Sequence, residues 1–206
     1  MKDKKPESDL FDRLTTSSLN KYLGKLMEGL TAKFFRTYNA STTLQDQLNK
    51  LTEEKSNLHD KLLTYNRANR AVAILCNHQR SIPKTFNKTM ENLSERIKSK
   101  KKEVKTCKKE LKTLKKEKGI PEQKITVKKT KLKRLKDQLH GLKNIITDKE
   151  ENKQIALGTS KLNYLDPRIS VAWLLSCHNL GVVNTMFLLR KFIIKPIEKN
   201  FNGQLT

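Results

Sequence analysis

The feature that most constrains this chain is a pair of apolar stripes between residues 97 and 149. Apolar residues recur there at alternating spacings of three and four, the pattern of a coiled-coil interface. The turn signal Gly119-Ile120-Pro121 separates them into two sets. Two helices that each carry one narrow stripe predict an antiparallel hairpin. The first stripe is Ile97, Val104, Cys107, Leu111 and Leu114, and the second is Ile125, Leu132, Leu135, Leu139, Leu142 and Ile146.

The predicted hairpin is strongly basic. It holds about 20 basic and 6 acidic residues, a surplus near +14, in a 206-residue chain of formal net charge +23. A lysine-rich helical face is usually only solvated, but a surplus of one sign repels itself unless phosphates lie nearby. This balance predicts a polyanionic partner, either a nucleic acid or an anionic membrane surface. We favour sequence-independent contact with duplex DNA.

The remainder of the chain also reads as helical. Thr15, Thr16 or Ser17 can cap a first helix. A capping box of Thr42 and Gln45 predicts that a second helix opens there, after a short irregular stretch at 34–40. Ser56 or Asn57 can cap a third, which must end before Pro83 with His78 in its last turn. A further helix is predicted to start near Asp148. The first helix has an expected buried stripe of Leu19, Leu23, Leu26, Met27 and Leu30.

The predicted fold class is mainly α: a helical bundle with a projecting antiparallel coiled-coil hairpin and a short C-terminal tyrosine-bearing helical segment. We divide the chain into residues 1–83, the helical body; 84–149, the hairpin; 150–173, the tyrosine segment; and 174–206, an apolar tail. The third helix is unusually polar at Asn66, Arg67, Asn69 and Arg70. Because Asn does not favour helix interiors, specific hydrogen bonds are expected for at least some of these residues.

Three features limit the function classes. Cys76, Cys107 and Cys177 are odd in number and widely spaced, which favours a reducing compartment and gives no usual metal module. The charged N-terminus lacks a secretory signal. Residues 169–189 have about the length of a membrane span, but polar residues interrupt them, so we expect no membrane. A membrane-associated basic coiled coil stays open as an alternative.

Tyr164 is the candidate nucleophile. It lies in the run Ser160-Lys161-Leu162-Asn163-Tyr164-Leu165-Asp166-Pro167-Arg168. A free phenol holds its proton to a pKa of about 10, and neighbouring cations or a base turn such a group into an attacking oxyanion. The flanking Lys161 and Arg168 predict a positive field at the hydroxyl. The plainer interpretation is a half-buried tyrosine that ends a helix before Pro167.

Three stretches carry a family resemblance. The run at 157–168 resembles the active-site tyrosine segment of eukaryotic type IB DNA topoisomerases. The runs Leu30-Thr31-Ala32-Lys33-Phe34-Phe35-Arg36-Thr37-Tyr38-Asn39-Ala40-Ser41 and Tyr65-Asn66-Arg67-Ala68-Asn69-Arg70-Ala71-Val72-Ala73-Ile74-Leu75-Cys76-Asn77-His78-Gln79-Arg80 resemble the same family, in its order. The hairpin is similar to the family's linker hairpin, which projects over the downstream duplex.

The resemblance implies a reaction and its residues. Tyr164 would attack a DNA phosphodiester to give a 3′-phosphotyrosine and a free 5′ hydroxyl, so that supercoils relax before the strand is rejoined. Neither a nucleotide cofactor nor an obligatory metal is implied, and no Walker-type loop is present. Arg36 matches a clamp arginine, and His78 matches the histidine that hydrogen-bonds a non-bridging oxygen. The predicted DNA-contacting residues are Asn163, Lys161, Arg168 and Arg80.

The resemblance also predicts what the chain lacks. In the family a second clamp arginine and a general-acid lysine come from upstream segments, so we expect an incomplete fragment that is inactive alone. The partners expected are duplex DNA and the upstream core as a separate chain, with the fragment itself monomeric. The nucleus is favoured over the mitochondrion.

The resemblance is expected to cover residues 1–173 and then fail. Pro196-Ile197-Glu198-Lys199 matches the family only after an apolar stretch of about twenty residues. The tail is therefore interpreted as an insertion, an alternative splice product or a mispredicted exon. The rival function is a non-catalytic basic coiled-coil DNA-binding protein. Tyrosine recombinases share the chemistry, but the three matched segments and the hairpin favour the topoisomerase family.

Overall fold

The computed structural model describes residues 7–8, 11–53, 55–116 and 121–177. Within these ranges the chain forms seven helices and no β-strand, which confirms the mainly α fold class. The predicted tail falls outside the described residues from position 178 onward. The helices are α1 (Thr16–Leu26), α2 (Ala32–Leu51), α3 (Leu58–Leu75), α4 (Phe86–Lys116), α5 (Glu122–Glu151), α6 (Leu157–Asn163) and α7 (Pro167–Ser176).

The apolar core lies between α2, α3 and α7. Each helix contributes residues spaced three or four apart, so their side chains share one face. The Tyr65 and Trp173 rings lie 5.4 Å apart between centroids. The Tyr65 hydroxyl is hydrogen-bonded to Ser170 Oγ at 2.6 Å, and burial raises the pKa of Tyr65 to about 12. Tyr65 is therefore a neutral core residue. The core residues are Ala40, Leu44, Leu48, Tyr65, Ala68, Val72, Cys76, Trp173, Leu174 and Cys177.

Two local predictions are wrong. The second helix begins at Ala32 rather than near Thr42, whose hydroxyl donates to Tyr38 O at 2.9 Å within the helix instead of capping it. The first helix is capped by Thr15 as predicted, but no residue of α1 is buried, and Leu26 is 64% exposed. The spacing of apolar residues predicts which face of a helix they share. It does not show whether another part of the chain packs against that face.

Two other boundaries were predicted with different success. Asn57 caps α3, since its side-chain oxygen accepts from Asp60 N at 3.0 Å, as expected. No helix starts near Asp148, because this residue lies in the last turn of α5, and the next helix begins at Leu157. Acidic residues at 148–151 are compatible with the start of a helix and also with an ion pair to an arginine. The structure uses Glu151 in the second way, paired with Arg67.

The hairpin helices α4 and α5 pack along one another on either side of residues 117–121. An ion pair joins Glu110 to Lys128, two residues at similar distances from the turn, as an antiparallel pair requires. Leu93, Ile97 and Cys107 of α4 are buried. The opposite faces carry exposed lysines. The two stripes predicted from spacing therefore pack as a hairpin.

The base of the hairpin is fixed to α3. Asp60 Oδ1 accepts hydrogen bonds from His140 Nε2 at 2.6 Å and from Asn144 Nδ2 at 2.7 Å. Burial opposes the charge of Asp60, yet these bonds hold the pKa of its carboxyl below the ordinary value. Gly141 lies against the ring of His59, where a Cβ atom would stand 2.7 Å from the imidazole. A side chain at position 141 would therefore displace the His59 ring.

None of the helices in the described ranges is long and apolar enough to cross a membrane. The candidate stretch at 169–189 enters the described part of the chain only as far as Cys177, where α7 has already ended at Ser176.

We expect Gly141→Ala to destabilise the chain relative to Gly158→Ala. The added methyl group at position 141 meets the His59 ring, whereas nothing lies within 4 Å of the same group at position 158. Overpacking typically costs about 1–3 kcal/mol. Because the half-buried His59 ring can turn aside, we expect a difference at the lower end of that range, about 1 kcal/mol, in the free energy of unfolding. Urea denaturation followed by circular dichroism measures it. Equal midpoints for the two variants would contradict this expectation and show that the His59 ring moves aside without cost.

Candidate active site

Tyr164 follows directly after α6, in a segment that is fastened to α2. Its backbone N–H donates to Ser160 O at 3.0 Å, which closes the last turn of the helix. The Ser41 hydroxyl on α2 donates to Tyr164 O at 3.3 Å, and Asp166 N donates to the same hydroxyl at 3.2 Å. One serine side chain therefore holds the backbone on both sides of the bend that ends at Pro167.

His78 lies just beyond α3 rather than in its last turn. Asn77 adopts a left-handed backbone conformation with φ of 53°, which Asn tolerates better than most residues. This turn lets His78 N donate to Ala73 O at 2.8 Å, so the chain leaves the helix while its last carbonyls stay hydrogen-bonded. A helix that ended at Pro83 could not have presented His78 in this way.

The segment after His78 pairs with the segment before α6. Ala156 N donates to His78 O at 2.9 Å, and Arg80 N donates to Gln154 O at 2.9 Å. Gln79 and Ile155 between them form an isolated antiparallel bridge. This pairing brings the end of α3 to the start of the tyrosine segment.

The polar face of α3 supports the same junction. Asn69 is fully buried, and its side-chain amide donates to Leu157 O at 2.9 Å. Arg67 forms a bidentate pair with Glu151 at the end of α5, with its shortest contact at 2.5 Å. The expectation that specific hydrogen bonds explain at least some of these polar residues is confirmed for Arg67 and Asn69.

His78 and Tyr164 are in direct contact. Their rings are stacked, with centroids 5.6 Å apart and planes inclined by 24°. His78 Nδ1 lies 2.8 Å from the hydroxyl of Ser160, which is fully buried. Burial, and after it the positive charge of Arg36, lower the pKa of His78 from its ordinary value. The imidazole is therefore mainly neutral near pH 7.

Two cations from α2 lie over the Tyr164 ring. Arg36 Cζ is 4.8 Å from the ring centroid and Lys33 Nζ is 6.0 Å away, both within reach of a cation–π interaction. Arg36 also donates a hydrogen bond to Cys76 O at the end of α3. A guanidinium has five N–H donors, so this bond leaves others for a ligand. Arg36, His78 and Tyr164 thus converge from three separate segments.

The cations that flank Tyr164 in sequence do not contact its ring. Lys161 Nζ lies 5.0 Å from the centroid of Tyr65. Arg168 is bound to the Asp166 carboxylate, with its closest contact at 2.6 Å. The cations over the Tyr164 ring therefore come from α2. Spacings of three and four would place Lys161 and Arg168 on the face of Tyr164 in one continuous helix, but α6 ends at Asn163 and Arg168 belongs to α7.

The other predicted DNA-contacting residues lie at the rim of the site. Asn163 is exposed, and its side-chain amide donates to Thr159 O at 3.1 Å. Arg80 is exposed, with a long 3.5 Å contact to Asn152 O. The structure does not bring either into contact with His78 or Arg36 side chains, and their roles on DNA stay predictions. Among the described residues, no group of three or more His, Cys, Asp or Glu side chains could hold a metal ion.

Sequence reasoning missed three residues of this site: Lys33, Ser41 and Ser160. Lys33 precedes Arg36 by three positions, and this spacing would have placed both on one helix face had α2 been predicted to begin at Ala32. Ser160 precedes Tyr164 by four positions, the span of one turn of α6. Ser41 had no local signal, because its partners at 164 and 166 are distant in sequence.

The arrangement suits recognition of a phosphate next to a phenol. A guanidinium is planar and always charged, and it can bind two phosphate oxygens at once. A neutral imidazole offers one N–H donor. Fixed donors of this kind stabilise charge that develops on non-bridging oxygens during phosphoryl transfer.

Comparison with known proteins gives matches along most of the chain. A family model described as eukaryotic DNA topoisomerase I, catalytic core, matches residues 1–111, and one described as a C-terminal topoisomerase domain matches residues 136–202. DNA topoisomerase 1 of Homo sapiens is 53% identical over 98% of this chain, and that of Xenopus laevis is 54% identical over 98%. The mitochondrial DNA topoisomerase I of Rattus norvegicus is 53% identical over 98%.

The chain spans only part of these relatives, namely 25%, 23% and 32% of their respective lengths. The match nevertheless runs past Trp173, where we expected the resemblance to fail. That expectation was wrong, because the C-terminal family model continues to residue 202 and so includes Pro196-Ile197-Glu198-Lys199. The apolar stretch between Trp173 and Pro196 had made the resemblance seem to end at Trp173. Its interpretation as an insertion, an alternative splice product or a mispredicted exon stays a prediction.

We expect acidification to weaken the fold partly through His78. The pKa of His78 is lower in the folded chain than the ordinary value of about 6.5, so unfolding takes up a proton between these two values. Stability contributed by the neutral ring is present above pH 6.5 and is lost as the pH falls through the folded pKa. Urea denaturation between pH 7.5 and 5 should show a smaller loss of stability in His78→Gln than in the unaltered chain. Parallel pH profiles for the two proteins would contradict the assignment.

Proposed function

This chain belongs to the eukaryotic DNA topoisomerase I family, and from that premise we propose that Tyr164 cleaves and rejoins one strand of duplex DNA. The observation that carries the proposal is the convergence of Arg36, His78 and Tyr164 at one site. These residues come from α2, from the turn after α3 and from the end of α6. A tyrosine that merely ended a helix would need neither the guanidinium nor the imidazole at its ring.

The proposed reaction is a transesterification. The Tyr164 oxygen attacks the phosphorus of a phosphodiester, and the bond from phosphorus to the 5′ oxygen breaks. The phenol loses its proton as it attacks, and the leaving 5′ oxygen takes up a proton. The products are therefore a 3′-phosphotyrosine and a 5′ hydroxyl. The free end rotates about the intact strand, and then the 5′ hydroxyl attacks the phosphotyrosine and releases the tyrosine. Because each step exchanges one phosphodiester for another, the reaction needs no nucleotide cofactor.

Arg36 and His78 have distinct proposed roles. Arg36 already lies at the ring of Tyr164, and its free N–H groups can bind the non-bridging oxygens as negative charge gathers there. His78 stacks on the same ring, and an N–H of its imidazole can donate to one of those oxygens. The neutral state of His78 leaves the positive charge of the site to Arg36 and Lys33.

The basic hairpin is proposed to contact the DNA backbone without reading its sequence. Lysines follow one another along the exposed faces of α4, at Lys101, Lys105, Lys108 and Lys112 for example. An ammonium group on a flexible stem suits phosphate contact at variable positions. Within the described residues, α3 contacts the hairpin through the C-terminal part of α5, with Asp60 bound to His140, His59 against Gly141 and Arg67 bound to Glu151. This attachment leaves the lysine-rich remainder available to a duplex that lies beside the body.

Replacing Lys101, Lys105, Lys108 and Lys112 with Gln should reduce the salt dependence of DNA binding. The slope of log K against log salt should become shallower by about 0.9 for each phosphate that the hairpin no longer neutralises. Fluorescence anisotropy with a labelled duplex at several salt concentrations measures it. A matched control replaces Lys21, Lys25, Lys50 and Lys55, which are exposed on or beside α1 and α2 and change the net charge equally. Identical slopes for the two variants would exclude a specific contribution of the hairpin.

A suicide substrate, in which the released 5′ end is a short strand that diffuses away, should trap a covalent DNA adduct. The 206-residue chain is tested alone and together with the remaining segments of a relative, expressed separately. Tyr164→Phe removes the nucleophilic oxygen and should abolish the adduct. Tyr38→Phe is the matched control, since Tyr38 is 60% exposed and lies away from the ring contacts described above. It should leave the adduct unchanged.

The outcomes separate the two candidate functions. An adduct that Tyr164→Phe eliminates supports the topoisomerase reaction, and its appearance only in the mixture would show that groups outside this chain are needed. DNA binding with no adduct in either arrangement would favour the non-catalytic DNA-binding protein.

The basic run at 98–102 suits nuclear import, so we propose the nucleus. Adducts recovered from mitochondrial rather than nuclear DNA would overturn that location.

A further inference from the structure

We propose that Ser160 is a positioning residue that holds His78 in the tautomer with its proton on Nε2. The inference rests on the proposed function for its catalytic consequence, but the tautomer itself is a property of the free chain. Ser160 belongs to α6, and His78 follows α3, so the contact joins two parts of the site that are far apart in sequence. Neither the tyrosine segment nor the histidine turn predicts this contact on its own.

Ser160 holds both members of the stacked pair. Its side-chain oxygen lies 2.8 Å from His78 Nδ1. Its backbone carbonyl accepts hydrogen bonds from Tyr164 N at 3.0 Å and from Leu165 N at 3.1 Å. The residue is 0% exposed, so water cannot replace these bonds. A shift of Ser160 would therefore move the imidazole and the phenol together.

The direction of the side-chain hydrogen bond follows from the protons that each group carries. A serine hydroxyl always carries one proton and must place it on an acceptor when it is buried. Among the described residues, the hydrogen-bond partner of Ser160 Oγ is His78 Nδ1. If Nδ1 carried a proton, Ser160 Oγ would have to accept a hydrogen bond from it. The hydroxyl proton of Ser160 would then be buried without Nδ1 as its acceptor. Ser160 is therefore the donor and Nδ1 is the acceptor.

The consequence concerns the opposite nitrogen of the ring. A neutral imidazole has one N–H group, so an accepting Nδ1 places the proton on Nε2. Burial and the charge of Arg36 lower the pKa of His78, which supports the neutral ring that this assignment requires. Nε2–H can then donate to a non-bridging phosphate oxygen. In the other tautomer a lone pair on Nε2 would face that oxygen and repel it.

Ring nitrogen chemical shifts test the tautomer directly. Long-range proton–nitrogen correlation spectra of the whole chain, labelled with 15N-histidine, distinguish Nδ1–H from Nε2–H. His78→Gln identifies the signal of His78 by its disappearance. We expect the Nε2–H form near pH 7.5 in the unaltered chain, and a mixture of tautomers in Ser160→Ala. A His78 signal of the Nδ1–H form in the unaltered chain would overturn the proposal, whether or not an adduct forms.

The pH dependence of cleavage tests the catalytic consequence. In the complemented protein, Ser160→Ala should slow single-turnover cleavage at pH 8 by about 10-fold, less than the roughly 10²–10³-fold loss when a whole oxyanion donor is removed. The ratio of the two rates should approach one as the pH falls through the folded pKa of His78, because a protonated imidazole carries a proton on Nε2 in either protein. A purely structural defect would give a ratio that does not shrink with acid.

Two variants complete the test. Thr159→Ala changes the neighbouring exposed side chain and should leave both the spectrum and the rate unaltered. Ser160→Thr keeps the hydroxyl and should restore the Nε2–H signal even where its extra methyl group lowers stability. If no variant or unaltered protein forms an adduct, the proposed function fails while the spectra still decide the tautomer.

Discussion

The site depends on the backbone pairing between residues 78–80 and residues 154–156. Its two hydrogen bonds, from Ala156 N to His78 O and from Arg80 N to Gln154 O, are each 2.9 Å long. A typical intramolecular hydrogen bond contributes only about 0.5–1.5 kcal/mol net, so the pairing alone would not hold a loop. Two buried side chains join the same segments a second time. Asn69 of α3 binds Leu157 O, and Ser160 of α6 binds His78.

The same helix that ends at this pairing also carries the hairpin. Near its start, Asp60 and His59 of α3 contact the middle of α5, and in its middle Arg67 binds the end of α5 at Glu151. Near its end, α3 leads into the turn that presents His78. One helix, α3, therefore fixes both the direction of the hairpin and the position of the His78 imidazole. The proposed DNA contact of the hairpin and the imidazole are thus both positioned by α3.

The predictions from sequence succeeded where the determining signal is local. The hairpin follows from spacing within each helix, and the caps at Thr15 and Asn57 follow from one side chain each. The start of α2 was missed because the aromatic and polar residues at 34–40 carry no clear helical period. Their helix is secured instead by packing of Ala40 and Leu44 against α3 and α7. Arg36, His78 and Tyr164 were found through resemblance, whereas Lys33 and Ser160 become visible only when α2 and α6 are placed around them.

The charge of the site illustrates why the sequence neighbours of Tyr164 were misleading. Lys161 and Arg168 lie close to it along the chain, yet their charges are directed to Tyr65 and Asp166. Arg36 and Lys33 are far from it along the chain, yet they lie over its ring. Their spacings of three and four from Tyr164 would place them on its face in one continuous helix, but α6 ends at Asn163 and α7 begins at Pro167. This break separates both cations from the phenol, and the contact of α2 with the tyrosine segment through Ser41 brings Arg36 and Lys33 to the ring instead.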